Sequence, residues 1–328
     1  MLIHPMKKNR LLICSIIALA LLAFSACSGK DSEFSGAQKK AQSKNQKMLL
    51  VFTGNKWSQE SRDFTTSVLN DKEFNKIFDK DYVVLTIDFD SDFDKAAADT
   101  KKSVNENVLL GENYSLSQIP EVYVLSPQGY VMAVLNLTDK IKSPLALQEE
   151  IFNHAEEITH AEYLLSEINS KSGKEKVHAI DALYEATEAR YRVPLSDLVK
   201  SVPELDPENE TGLLGKYELE KAYLDAITAA HNNDFKGISD IFEEVCQNGH
   251  LNSQQIQTAY YTEAFVLAGT GSKDYDRITE ILYKAYEADK ESENANQILY
   301  TLNSFEQLKA INQAIEEEKK ANPVQEGH

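Results

Sequence analysis

The stretch Met48-Leu49-Leu50-Val51-Phe52-Thr53-Gly54-Asn55-Lys56-Trp57-Ser58-Gln59-Glu60-Ser61-Arg62-Asp63-Phe64 decides the fold. Its first five residues are apolar without alternation, the pattern of a strand covered on both faces. Gly54 suits a turn, and Ser58 stands where a helix N-cap belongs. Beyond it Phe64, Val68, Phe74, Ile77 and Phe78 fall at helix-compatible spacings up to Asp79. Residues 82–87 form a second apolar run of the same kind. Strand, helix and strand at this length imply a right-handed crossover and a parallel pair. Residues 121–125 and 130–135 flank Ser126-Pro127-Gln128-Gly129, where Pro and Gly supply turn dihedrals. An antiparallel hairpin is expected there, so the sheet is mixed.

Past about residue 145 strand signals stop and long amphipathic helices take over. Leu164, Ile168, His178, Ala182, Leu183 and Ala186 fall near helical spacing, as do Tyr217, Ala222, Tyr223, Ile227 and Ala230. Asn232-Asn233-Asp234-Phe235 and Gly271-Ser272-Lys273-Asp274-Tyr275 each precede a helical pattern, forty residues apart. The second of these helices, residues 275–289, resembles the second helix of a tetratricopeptide-type repeat, although the glycine and proline landmarks of that consensus are absent. A repeat stack and a plain helical bundle both fit the pattern. With 328 residues the chain is long enough for two cores, and a composition of 42% hydrophobic residues is that of a folded protein.

The amino terminus carries Lys7, Lys8 and Arg10, no acidic residue before position 27, and an apolar run over residues 11–26. This is the layout of a secretory signal peptide. The run ends Leu22-Ala23-Phe24-Ser25-Ala26-Cys27, which resembles the lipobox of bacterial lipoproteins and implies lipidation of Cys27. Residues 28–47 are polar, with Phe34 the only large apolar side chain, so a flexible tether is expected over 27–47. The formal net charge of −18 argues against nucleic acid and acidic lipid surfaces, because phosphate binding depends on clustered Lys and Arg. Of three cysteines, Cys14 leaves with the signal and Cys27 takes lipid. Cys246 is then alone, unable to form an internal disulfide or to cycle a dithiol.

The run from Phe52 to Phe64 resembles the active-site turn of thioredoxin-like proteins, in which an apolar strand and a Gly-containing turn lead to Trp-Cys-x-x-Cys and a basic residue. Trp57 matches the tryptophan, Arg62 the basic residue, and Ser58 and Ser61 occupy the two cysteine places. Val68-Leu69-Asn70-Asp71-Lys72-Glu73-Phe74 is similar to the continuation in the secreted subfamily. Tyr114-Ser115-Leu116-Ser117-Gln118-Ile119-Pro120 resembles the loop bearing the family's cis-proline. The resemblance covers about residues 47–153 and implies an α/β thioredoxin-like domain, a mixed sheet flanked by helices, followed by an all-α domain. In that family the first thiol ionises at a helix N-terminus and the second resolves the mixed disulfide. Serine does neither, so no redox cycle, catalytic residue or cofactor is expected. The resemblance also implies a peptide-binding groove of Trp57, Ile119 and Pro120, with a bound chain added as a strand. The plain alternative is that Trp57 packs on its own domain and Pro120 shapes a turn.

Two other chemistries find little support. A hydrolytic Ser58 needs a neighbouring base, and residues 28–153 contain no histidine; His154 and His160 are six residues apart, off a shared helix face. The acidic run Asp88-Phe89-Asp90-Ser91-Asp92-Phe93-Asp94, with Asp99 twelfth, lacks the Gly and Glu that a calcium loop uses at its sixth and twelfth places. No metal is expected. The expected order is a signal peptide over 1–26, lipidated Cys27 and tether over 27–47, a thioredoxin-like domain over 48–153, a helical domain over 154–320 and a disordered tail over 321–328. Such a chain reads as an adaptor or chaperone-like binder of protein or unfolded polypeptide at a bacterial envelope, touching membrane only through its anchor. An unconventional oxidoreductase using Cys246 and a purely architectural protein are the rival readings.

Overall fold

A computed structural model describes residues 32–89, 102–137 and 140–321. The signal segment, Cys27, the tail beyond 321 and most of the acidic run, including Asp99, lie outside the described residues. The first element is a helix, α1 (Glu33–Lys44), capped by the Ser32 hydroxyl, which accepts the Ser35 N–H, and ended by Asn45 at φ 49°. Strand β1 (Lys47–Thr53) follows directly. Helix α2 (Gln59–Phe64) continues through a π-helical turn, Thr65–Leu69, before the short α3 (Phe74–Phe78). Then come β2 (Tyr82–Asp88), α4 (Lys102–Asn113), β3 (Glu121–Leu125) and β4 (Val131–Leu135).

Among the described residues the sheet has the order β2-β1-β3-β4. β1 pairs with β2 in parallel and with β3 antiparallel, and β3 and β4 form the expected hairpin. The two-residue period of a strand sorts β1 cleanly. Leu49 and Val51 join Val122 and Val124 against Phe64, Phe78, Leu147 and Ile151 on one face. Met48, Leu50 and Phe52 join Tyr123 and Leu125 against Phe34 and Ala41 of α1 on the other.

Four expectations are corrected. The tether assigned to 27–47 does not extend through α1, whose Phe34 and Ala41 are buried in the sheet core, so the folded domain includes α1 and does not start at 48. The helix expected from 58 to 79 is broken at 70–73, where the Asp71 carboxylate accepts the Glu73 N–H. Among the described residues β2 is an edge strand, its Val84 and Leu85 only half-buried, and not doubly covered like β1. The apolar stripe holds at Leu164, Ile168 and Leu183, which are buried, but not at His178, Ala182 and Ala186, which are exposed, with Val177, Ile180 and Tyr184 buried in their place.

The helical half comprises α5 (Pro144–Asn153), α6 (Ala155–Ser170), α7 (Gly173–Ala186), α8 (Ser196–Leu205) and α9 (Leu214–His231), continued by α10 (Phe235–Gln247), α11 (Ser253–Gly269), α12 (Tyr275–Ala288) and α13 (Ala295–Ala321). Of these, α5 covers the sheet, and Ile158 of α6 enters the same core. Helices α9 to α13 share one core around Ile238, Phe242, Ala264, Ile281 and Leu282. Within it α10 packs on α9 and α12 on α11. Their N-caps, Asp234 and Asp274, each accept an N–H three residues on, which accounts for the forty-residue similarity in the sequence. Among the described residues no helix is long and apolar enough to cross a membrane.

Candidate functional site

The carboxyl end of β1 runs into a turn held by hydrogen bonds from every side. Asp88, closing β2, accepts the Thr53 hydroxyl and the Asn55 N–H through the same Oδ1, both at 2.8 Å. The Gly54 carbonyl accepts the N–H groups of Trp57 and Ser58. Arg62 reaches back from α2 to the Asn55 carbonyl at 3.0 Å. The indole of Trp57 lies on Gly54, where a Cβ would stand 2.4 Å from Cε2, and its Nε1 donates to the Phe89 carbonyl at 3.0 Å. Trp57 is nevertheless 36% exposed, so part of it is open to solvent.

The two serines have structural partners. Ser58 is the N-cap of α2: its hydroxyl oxygen accepts the Ser61 N–H at 3.1 Å and its proton goes to Glu60 Oε2 at 3.1 Å. Ser61 is fully buried and its hydroxyl oxygen accepts the Gly54 N–H at 3.0 Å. A nucleophilic serine needs a base in hydrogen-bond reach. Among the described residues the Ser58 hydroxyl meets Ser61 and Glu60, neither of them a histidine, and His154 is engaged by Glu157 and Glu150.

The Ile119–Pro120 peptide bond is cis. Because Phe52 pairs with Glu121 in the β1–β3 register, Pro120 comes to the same end of the sheet as the turn at Gly54. Ile119 is half-buried against the core face that holds Phe52 and Tyr123. The fold therefore brings the serine pair, Trp57 and the cis-proline loop to one sheet end. Cys246, by contrast, sits on α10 in the helical half, and burial pushes its thiol up to about 11 despite a hydrogen bond from Tyr260. Among the described residues no three His, Cys, Asp or Glu side chains gather as metal ligands.

Sequence reasoning missed the underside of the cis-proline loop. Glu121 is buried, and its carboxylate accepts the Ser117 N–H at 3.1 Å, the Ser117 hydroxyl at 3.0 Å and the Tyr123 hydroxyl at 2.6 Å. A Glu opening an apolar strand was the available signal.

Residues 32–127 match the family described as thioredoxin-like, and residues 213–314 match one described as an uncharacterised protein C-terminal domain. A solved structure described as a DsbH oxidoreductase is 16% identical over 44% of this chain and 90% of that one, with a TM-score of 0.31. No curated protein matches. The match beginning at Ser32 includes α1, in agreement with the burial of Phe34. Residues 32–127 thus match a thioredoxin-like domain, and a helical half follows them.

Proposed function

We propose that this is an exported, lipid-anchored envelope protein whose thioredoxin-like domain has no dithiol chemistry and serves as a protein-binding adaptor or chaperone-like module. One observation carries the reading: both positions that hold thiols in relatives hold hydroxyls, each committed to a structural hydrogen bond, Ser58 as a helix cap and Ser61 to Gly54. Cys246 adds no substitute, since a thiol raised to about 11 supplies little thiolate at neutral pH. What stays available at this end of the sheet is recognition, through the exposed part of Trp57 and the strand end next to Pro120. Lipidation at Cys27 would leave five residues, 28–32, before α1, at most about 18 Å of extended chain, and so hold the domain close to the bilayer.

The test compares wild type with Trp57→Ala plus Pro120→Ala, crosslinked in cells and read by mass spectrometry, alongside Cys27→Ala and Cys246→Ser. The double variant is expected to lose partners that wild type retains, and Cys27→Ala to leave the membrane fraction. Purified wild type is expected to reduce insulin no faster than dithiothreitol alone. Catalytic turnover that vanishes in Cys246→Ser would overturn the reading in favour of an oxidoreductase. Unchanged partners in the double variant would leave an architectural role.

A further inference from the structure

The cis-proline loop touches the helical half as well as its own sheet. Between α7 and α8 the chain makes two 3-10 turns, Ala189–Tyr191 and Val193–Leu195. The first of these places Tyr191 inside the thioredoxin-like core, only 5% exposed, with its ring edge-on to Tyr123 at 6.2 Å between centroids. Next to it, the Arg190 carbonyl accepts the hydroxyl of Ser115 at 2.5 Å. Ser115 opens the cis-proline loop at φ 52°, a left-handed conformation that a residue with a Cβ seldom holds unless its surroundings fix it. The loop is thus gripped at its start by the helical half.

Its far end is gripped through a relay. Tyr191 packs on the ring of Tyr123, and the Tyr123 hydroxyl donates to Glu121. Glu121 in turn receives the N–H and the hydroxyl of Ser117, two residues before Ile119. Burial together with the neighbouring Glu121 carboxylate keeps the Tyr123 hydroxyl protonated, so it remains a donor at any physiological pH. A carboxylate buried under a loop and served by donors on both sides is costly to leave half-satisfied. The pose of residues 117–120 is therefore coupled to the seating of Tyr191. The two halves are joined elsewhere too, by the Tyr130 hydroxyl donating to Asp197 at 2.6 Å.

We propose that the helical half is part of the candidate site: seated on Tyr123, Tyr191 sets through Glu121 and Ser117 the pose in which Ile119 and Pro120 meet an extended polypeptide. Tyr191 and Tyr123 are positioning residues for that contact. This deepens the adaptor reading and rests on it for the identity of the ligand.

The test uses the full chain as wild type, Tyr123→Phe, Tyr191→Ala and Tyr191→Phe. Two quantities are measured: amide hydrogen exchange over residues 115–121, and binding of dye-labelled, reduced and carboxymethylated α-lactalbumin, a permanently unfolded polypeptide. Tyr123→Phe removes the hydroxyl and Tyr191→Ala the packed ring, so each is expected to speed exchange at Ser117 to Ile119 by roughly tenfold and to weaken the probe by a similar factor. Exchange in β4 should not change. Tyr191→Phe keeps the ring and should behave as wild type. Wild-type exchange and binding in Tyr123→Phe would overturn the proposal, also in the event that Tyr191→Ala does not fold. A wild type that ignores the probe defeats the adaptor reading instead. The relay then stands if exchange accelerates and falls if it does not.

Discussion

Gly54→Ala is the sharpest probe of the turn, because the structure assigns its whole effect to one neighbour. Gly54 does not have a positive φ, so alanine meets no backbone strain there. Its new Cβ would stand 2.4 Å from Trp57 Cε2, 2.5 Å from Cζ2 and 2.8 Å from Nε1. Carbon atoms rest about 3.5–4.0 Å apart, so the indole must retreat by roughly 1 Å or more. That movement breaks the 3.0 Å bond from Nε1 to the Phe89 carbonyl. Overpacking costs about 1–3 kcal/mol and the lost hydrogen bond about 1 kcal/mol, against a gain of about 0.4–1 kcal/mol from the stiffer unfolded chain. The net destabilisation expected is about 1–3 kcal/mol. Trp57 is the single tryptophan in the sequence, so its emission reports this site alone. Gly54→Ala should lower the guanidinium midpoint, shift the emission to the red and raise acrylamide quenching. In a Trp57→Ala background, followed by circular dichroism, the cost of Gly54→Ala should disappear, a coupling of at least about 1 kcal/mol. An equal cost in both backgrounds, or quenching that does not change, would refute the assignment of Gly54 to the seat of the indole.

Phe34→Ala tests whether α1 belongs to the fold: Phe34 is 9% exposed with its ring 5.7 Å from that of Tyr114, so a loss of about 3 kcal/mol is expected in chemical denaturation, whereas a tether residue would cost under about 0.5 kcal/mol. Glu112, at the end of α4, is pushed up to about 7 by burial, from an ordinary value of 4.5. Below 4.5 folded and unfolded chains are both protonated at this group; between 4.5 and 7 the unfolded chain ionises first, so stability falls as pH rises and levels off above 7. Glu112→Gln should flatten that part of the stability–pH curve, and an identical slope in the variant would remove Glu112 as its source.

The parts of this fold that the sequence made legible are those with a period or a landmark. Residues 48–52 carry the unbroken apolar run of a doubly covered strand, and Pro and Gly at 127 and 129 supply the punctuation of a hairpin. The serine pair was legible because Trp57 and Arg62 bracket it. Helix α1 was not, because a helix lying on a sheet needs only a narrow stripe: Phe34 and Ala41, two turns apart, are its buried residues, and the remainder is as polar as a linker. On α7 a stripe through His178, Ala182 and Ala186 has the right period but the wrong phase. Periodicity alone cannot choose between faces of small or amphipathic residues, and Val177 with Ile180 decide it through packing. The seat of Tyr191 against Tyr123 had no signal in one sequence, since contacts between residues this distant in the chain are set by tertiary packing.

Oxygen at the places where thioredoxin-like proteins carry sulfur suits this turn to hydrogen bonding with the backbone. A hydroxyl oxygen accepts a backbone N–H well and a thiol poorly. Ser58 can therefore cap α2, and Ser61 can hold the Gly54 N–H inside the protein, at distances of 3.1 and 3.0 Å. The same exchange removes the group that would have ionised at the helix N-terminus and formed a mixed disulfide. The turn becomes a support for the Trp57 side chain, which is what the proposed binding role asks of it. The cis-proline loop fits that logic. It is braced by Glu121 below and by the helical half at Ser115, and bracing lowers the ordering cost that a bound chain would otherwise have to overcome.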